Sequence, residues 1–149
     1  MVSAHRVVVL PGDGVGPDVV RAAQEVLEAT GLEFEWISCE VGEQAFNAVG
    51  EALPRAVVEA VQDCGVALKG PVATPAGAAF RSVNVALRRA LDLYVQVRPV
   101  RTIPGVPSRY ERVDVQVVRE TTEDLYRGLE LRPGSPEAGE LLAVLARRG

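Results

Sequence analysis

VVVLPGDGVGP, from Val7 to Pro17, decides how the chain is read. The β-branched run suits a buried strand, Gly12, Gly14 and Gly16 suit a loop, and Pro17 suits the first helical turn, where its missing N–H costs nothing. A dinucleotide fingerprint has the same outline but needs G-x-G-x-x-G, whose third glycine lets helix and strand pack closely. Here the spacing is G-x-G-x-G, and Pro17 stands where the third glycine belongs. The spacing favours a tight strand-to-helix turn, with a phosphate cradle as the alternative.

Working outward, Arg6 to Leu10 reads as the strand, followed by a helix with Val19, Ala23, Val26 and Leu27 as its apolar stripe. Glu33 to Cys39 alternates like a second strand, and Gly42 to Val49 suits a short helix. Pro54 opens another helix with Val57, Val58 and Val61 inward, and Val66 to Leu68 is the strand it feeds. After a loop over Gly70 to Phe80 comes a helix with Ser82 as its N-cap and Val83, Leu87, Ala90 and Leu91 on one face. Leu93 to Arg98 and Val113 to Val118 read as strands on either side of a proline-containing loop, Leu125 to Leu131 as a further strand, and Glu137 to Arg148 as a terminal helix. Such alternation predicts an α/β fold, a layered and substantially parallel sheet with flanking helices.

The 149 residues are 48% hydrophobic, enough for a core, and only 5% aromatic, so Val, Leu and Ala must fill it. No apolar run reaches membrane-spanning length and the N-terminus lacks a secretory signal pattern, so a cytoplasmic protein with no membrane partner is expected. A formal charge of −4 argues against nucleic acid as a partner. Cys39 and Cys64 fit no metal-ligand spacing and read as structural thiols, while the single histidine, His5, reads as a surface residue.

Fifteen of the sixteen positive charges are arginine. Guanidinium groups grip planar carboxylates through paired hydrogen bonds. In the stretch from Lys69 to Val100, Asn84 and Arg88 are four apart and share a helix face, with Arg81 nearby. Taken alone, that is an amphipathic helix with a solvated side. Arg98 and Arg119, each on a strand-like run, together with the TTED segment and Tyr126, turn it into a candidate pocket for a small polycarboxylate.

These stretches resemble the β-decarboxylating dehydrogenases that act on isocitrate, isopropylmalate and homoisocitrate. The resemblance rests on PGDGVGP at Pro11–Pro17, KGPVATP at Lys69–Pro75, RSVNVALRRALDLYVQVRPV at Arg81–Val100 and VVRETTEDLYRGLE at Val117–Glu130. Ser82 and Asn84 ahead of Arg88 look more like the isocitrate branch. What the resemblance implies is the N-terminal portion of the isopropylmalate dehydrogenase-like fold, with residues 1–100 in the large α/β domain and 101–149 opening the smaller one. It implies Ser82, Asn84, Arg88, Arg98 and Arg119 as substrate-binding residues, Thr74 beside the nicotinamide and Tyr126 in catalytic proton transfer. It also implies NAD or NADP as cofactor, bound mainly through loops other than PGDGVGP, which becomes a structural turn. In such chemistry a hydride leaves the alcohol carbon, and Mg²⁺ or Mn²⁺ stabilises the enolate left by departing carbon dioxide.

Family members of ordinary length carry a catalytic lysine, the metal-binding aspartates and most of the adenosine loop beyond the region matched here, so no metal ligand is expected before Gly149. Thr121 also replaces the asparagine usual in R-E-N-T-E-D. The expected function is thus the N-terminal portion of an oxidative decarboxylase of a 2-hydroxy polycarboxylic acid, inactive alone, with a homo-oligomer or a companion chain completing it. A non-catalytic, polycarboxylate-binding module paired with a full-length paralogue is the alternative. A degenerate domain without a ligand is the third possibility.

Overall fold

The computed structural model describes residues 4–73, 82–123 and 131–148. Strand β1 (His5–Leu10) leads through helix α1 (Gly16–Glu28) to β2 (Phe34–Ser38), and then through α2 (Glu43–Val49) and α3 (Arg55–Cys64) to β3 (Ala67–Lys69). The three strands form one parallel sheet in the order β2-β1-β3. His5 to Val9 of β1 lie beside Phe34 to Ser38, and Val8 to Leu10 beside Ala67 to Lys69. Because β2 and β3 flank β1, right-handed crossovers carry α1 and α3 to opposite faces. The mouth of an open α/β sheet forms at the C-terminal strand ends where such a reversal occurs. PGDGVGP leaves the sheet there, at the end of β1, and KGPVA leaves at the end of β3.

As the middle strand, β1 is buried on both faces, and its continuous valine run follows from that. Val8 and Leu10, alternate residues on one face, have no exposed surface and pack in a core with Val41, Val57 and Val61, joined by Val83 and Leu87 of α4 (Val83–Ala90). Ser82 is the α4 N-cap as expected, but its side chain makes no capping hydrogen bond. Its carbonyl instead accepts from the N–H groups of Val85 and Ala86.

The inward face of α1 differs from the expected stripe. Val19 and Val26 are exposed, whereas Gly16 and Val20 are buried and Ala23, Gln24 and Leu27 half-buried. Gly16 sets this phase. A Cβ there would lie 2.2 Å from the Pro11 carbonyl oxygen, so the helix must start against the loop and bury the positions that follow at helical spacing.

Beyond α4, β4 (Val95–Arg101) and β5 (Asp114–Glu120) pair antiparallel in a separate two-stranded ribbon, with Val95 opposite Glu120 and Arg101 opposite Asp114. The loop between them is closed at its base by mutual bonds between Thr102 and Val113, and by the Arg101–Asp114 ion pair at 3.0 Å. The ladder crosses the expected domain boundary at residues 100–101. Helix α5 (Pro136–Ala146) follows, with Ser135 accepting the Ala138 N–H as a true side-chain cap. The strand expected over Leu125 to Leu131 lies, apart from Leu131, outside the described residues.

Candidate functional site: loops at the sheet mouth and a cationic helix face

Two loops meet at the sheet mouth, and the glycines are where they touch. A Cβ on Gly12 would sit 2.1 Å from the Pro71 carbonyl oxygen, and one on Gly70 would sit 2.1 Å from that of Pro11. Gly12 also has φ of +78°, where side chains are strained. In a dinucleotide site the missing side chains make room for a pyrophosphate. Here main chain from the KGPVA loop fills that room, so PGDGVGP is a packing turn.

Asp13 locks the crossing. It is 7% exposed, and its carboxylate accepts the Glu43 N–H at 3.0 Å and the Ala73 N–H at 2.9 Å, while its own N–H donates to Pro71. Gly42 is required opposite, since a Cβ there would lie 2.3 Å from the Asp13 carboxylate. One side chain thus fastens β1 to the start of α2 and to the loop after β3. Every bond is to backbone, so Asp13 serves as a clasp. Among the described residues no three His, Cys, Asp or Glu side chains group to hold a metal ion, and the donor set here does not fit one.

A cavity of about 330 Å³ runs along β3, between the end of α3 and helix α4. Val61, Leu87, Leu91 and Leu93 supply apolar wall, and Lys69, Asn84 and Arg88 supply the polar lining. Asn84 and Arg88 come together as their four-residue spacing requires, both half-buried. Lys69, the only lysine in the chain, joins them, and its ammonium donates to the Gly70 carbonyl at 2.6 Å. Burial holds this ammonium below the ordinary lysine value, and the neighbouring Arg88 charge pushes it the same way, against a smaller opposing pull from Asp13. Two cations held close in a concave, half-buried place need an anion more than exposed ones do.

Arg98 and Arg119 do not line this cavity. They are exposed on the ribbon, where Gln96 pairs with Arg119 and Arg98 donates to Gln96 at 2.9 Å. Directly opposed residues and residues two apart share a sheet face, so both arginines stand on the same side of the ribbon. Ser82 sits half-buried at the head of α4. Thr74 and Tyr126 lie outside the described residues, as does Arg81. Sequence reasoning passed over Lys69 and Asp13. The signals were present in a solitary lysine among arginines and a carboxylate set between glycines.

Thiol and histidine readings fare differently. Cys39 and Cys64 are free and only half-buried beside the core; burial first, then Cys64 and Glu40, raises the Cys39 thiol above its ordinary value. His5 is exposed, in a tilted contact with Phe34.

Parallel βα units with a glycine loop packed by backbone, next to a helix that presents an amide and a guanidinium to a cavity, place the chain among the parallel α/β folds. The profile of the isocitrate/isopropylmalate dehydrogenases matches residues 6–140, and the chain belongs to that family. It is 45% identical over 141 residues to the NADP isocitrate dehydrogenase of Archaeoglobus fulgidus, covering 90% of this chain and 34% of that protein. The Haloferax volcanii enzyme of the same name is 46% identical over 136 residues, covering 87% and 32%. Among solved structures, isocitrate dehydrogenase from Methylococcus capsulatus superposes with a TM-score of 0.82 at 41% identity, over 89% of this chain and 39% of that one. The chain therefore spans about a third of the length of the curated relatives it matches.

Proposed function

We propose that this chain supplies the substrate-carboxylate side of an NADP-linked isocitrate dehydrogenase site. On this reading Asn84, Arg88 and Lys69 line the cavity end of the site, Arg98 and Arg119 reach it from the ribbon, Ser82 contributes a hydroxyl, and residues 101–149 open the smaller domain. Thr74 serves the nicotinamide and Tyr126 the proton transfer. NADP is preferred over NAD because the relatives carry it in their names. The observation that carries the proposal is the grouping of Asn84, Arg88 and Lys69 in one cavity. An isocitrate bound there would offset the Lys69–Arg88 repulsion through charge-assisted hydrogen bonds, and the guanidiniums would fix the orientation of its carboxylates.

Within this chain the residues bind and orient. The described carboxylates give no cluster able to hold Mg²⁺ or Mn²⁺. Metal-dependent reduction of NADP by the pure 149-residue chain is therefore expected to be absent, and its detection would contradict this division of labour. The test of binding is calorimetric titration with isocitrate, isopropylmalate and homoisocitrate. Isocitrate is expected to bind most tightly, and equal or absent heats for all three would overturn the assignment.

A further inference from the structure

Thr121 is 4% exposed, one of only two buried polar residues among those described, and it belongs to none of the groups assigned above. It follows β5 directly, two residues after Arg119. Its hydroxyl donates to the Leu93 carbonyl at 2.6 Å, and its N–H donates to the Tyr94 carbonyl at 3.0 Å. Leu93 in turn donates its N–H to the Arg88 carbonyl at 2.8 Å and lines the cavity together with Arg88. A continuous path of hydrogen bonds therefore runs from the end of the Arg119 strand to the last turn of the Arg88 helix. Between them the chain passes through Asp92, at φ of +51°, a turn that an aspartate tolerates but does not hold by itself.

We infer that Thr121 is the positioning residue that sets Arg119 against Arg88, and so fixes the spacing at which the two guanidiniums meet a polycarboxylate. The inference rests on the carboxylate-site reading above. Its physical basis is that, among the described residues, β4 and β5 form a two-stranded ribbon with no ladder to the parallel sheet to orient it. A two-stranded ribbon is a poor anchor on its own. The buried Thr121 hydroxyl gives its base a directional tie to the α4 end, and neighbouring Glu120 stiffens the same corner by accepting from the Thr122 and Glu123 N–H groups.

Isocitrate affinity of the full chain is compared for wild type, Thr121→Val and Thr121→Ser. A ribbon freed of this tie must be ordered when the ligand binds, at a cost of about 1.4 kcal/mol or tenfold, so Thr121→Val is expected to weaken isocitrate about tenfold and Thr121→Ser to remain within about threefold of wild type. A second readout separates positioning from general loosening. In wild type, Arg88→Ala and Arg119→Ala are expected to be non-additive because both arginines hold one ligand, and in the Thr121→Val background they are expected to become additive. If Thr121→Val does not fold, Thr121→Ala takes its place in both measurements. Wild-type affinity in the hydroxyl-less variant, or equal loss in Thr121→Ser, would overturn the role of Thr121 while leaving the carboxylate site standing. Failure of the wild-type chain to bind isocitrate would overturn the site reading and this role with it.

Discussion

At the scale of single residues, Asp13 and Lys69 show how one side chain can organise a site. Replacing Asp13 with Ala removes the charged acceptor of the Glu43 and Ala73 N–H groups, and a bond to a charged group contributes about 1.5–3 kcal/mol. Urea unfolding is expected to show that loss, whereas Asp18→Ala, which removes an exposed ion pair with Arg21 and a carboxylate in the first turn of α1, is expected to stay within about 1 kcal/mol of wild type. Lys69 gives a signed pH prediction. Its folded value lies below its unfolded one, so between the two the unfolded chain holds more protons and stability rises with pH across that window. A bound carboxylate favours the charged ammonium and reverses the shift. Isocitrate binding in alkaline buffer is therefore accompanied by proton uptake, seen as buffer-dependent heats that disappear in Lys69→Met; proton release would contradict the placement of substrate beside Lys69.

At the scale of elements, strand and helix identities were legible wherever the chain obeyed a simple period. The valine run of β1, the Pro17 start of α1 and the Val57/Val61 face of α3 all follow from local pattern. The phase of α1 was not legible, because the pattern of apolar residues admits a stripe through Val19 and Val26 and the decision falls to Gly16, whose backbone contact with Pro11 is a tertiary fact. The same holds for the antiparallel ribbon: each strand reads correctly alone, but alternation of strand and helix carries no information on a pair joined by a long loop. Within the site, Asn84 and Arg88 were found by spacing, while Lys69 enters only through the placement of β3 beside α4. Glycine substitutions test this picture. Gly14→Ala meets open space at φ of +59° and is expected to cost about 1–2 kcal/mol. Gly16→Ala, at an ordinary φ but 2.2 Å from a carbonyl oxygen, is expected to cost more, read in the same unfolding experiment. The reverse order would mean that strain, and not loop crossing, selects these glycines.

At the scale of the whole molecule, much apolar surface faces outward. Val95, Val97 and Val100 of β4, Val115, Val117 and Val118 of β5, and Leu141, Leu142 and Leu145 of α5 are all exposed. On the ribbon Val95, Val97 and Val118 share one face and Val100, Val115 and Val117 the other; exposed apolar surface of this kind drives association, and among the described residues no further strand pairs with the outer edge of either ribbon strand. Sedimentation at rising concentration is expected to show dimers or larger species; a monomer at every concentration would contradict it. That tendency fits a chain that spans about a third of its relatives, with the rest of their length available in them to cover these faces.

The central claim is that arginines from α4 and the ribbon serve one polycarboxylate, and the melting curve tests it most directly. Isocitrate is expected to raise the melting temperature of the chain, less so at high salt, because a ligand bound only by the folded state stabilises it and exposed charges are screened. Arg119→Ala is expected to remove most of that rise. Arg147→Ala, whose guanidinium donates to the Ala143 carbonyl on the exposed side of α5, is expected to keep it. No shift with isocitrate, or the same response in Arg119→Ala and Arg147→Ala, would contradict the account.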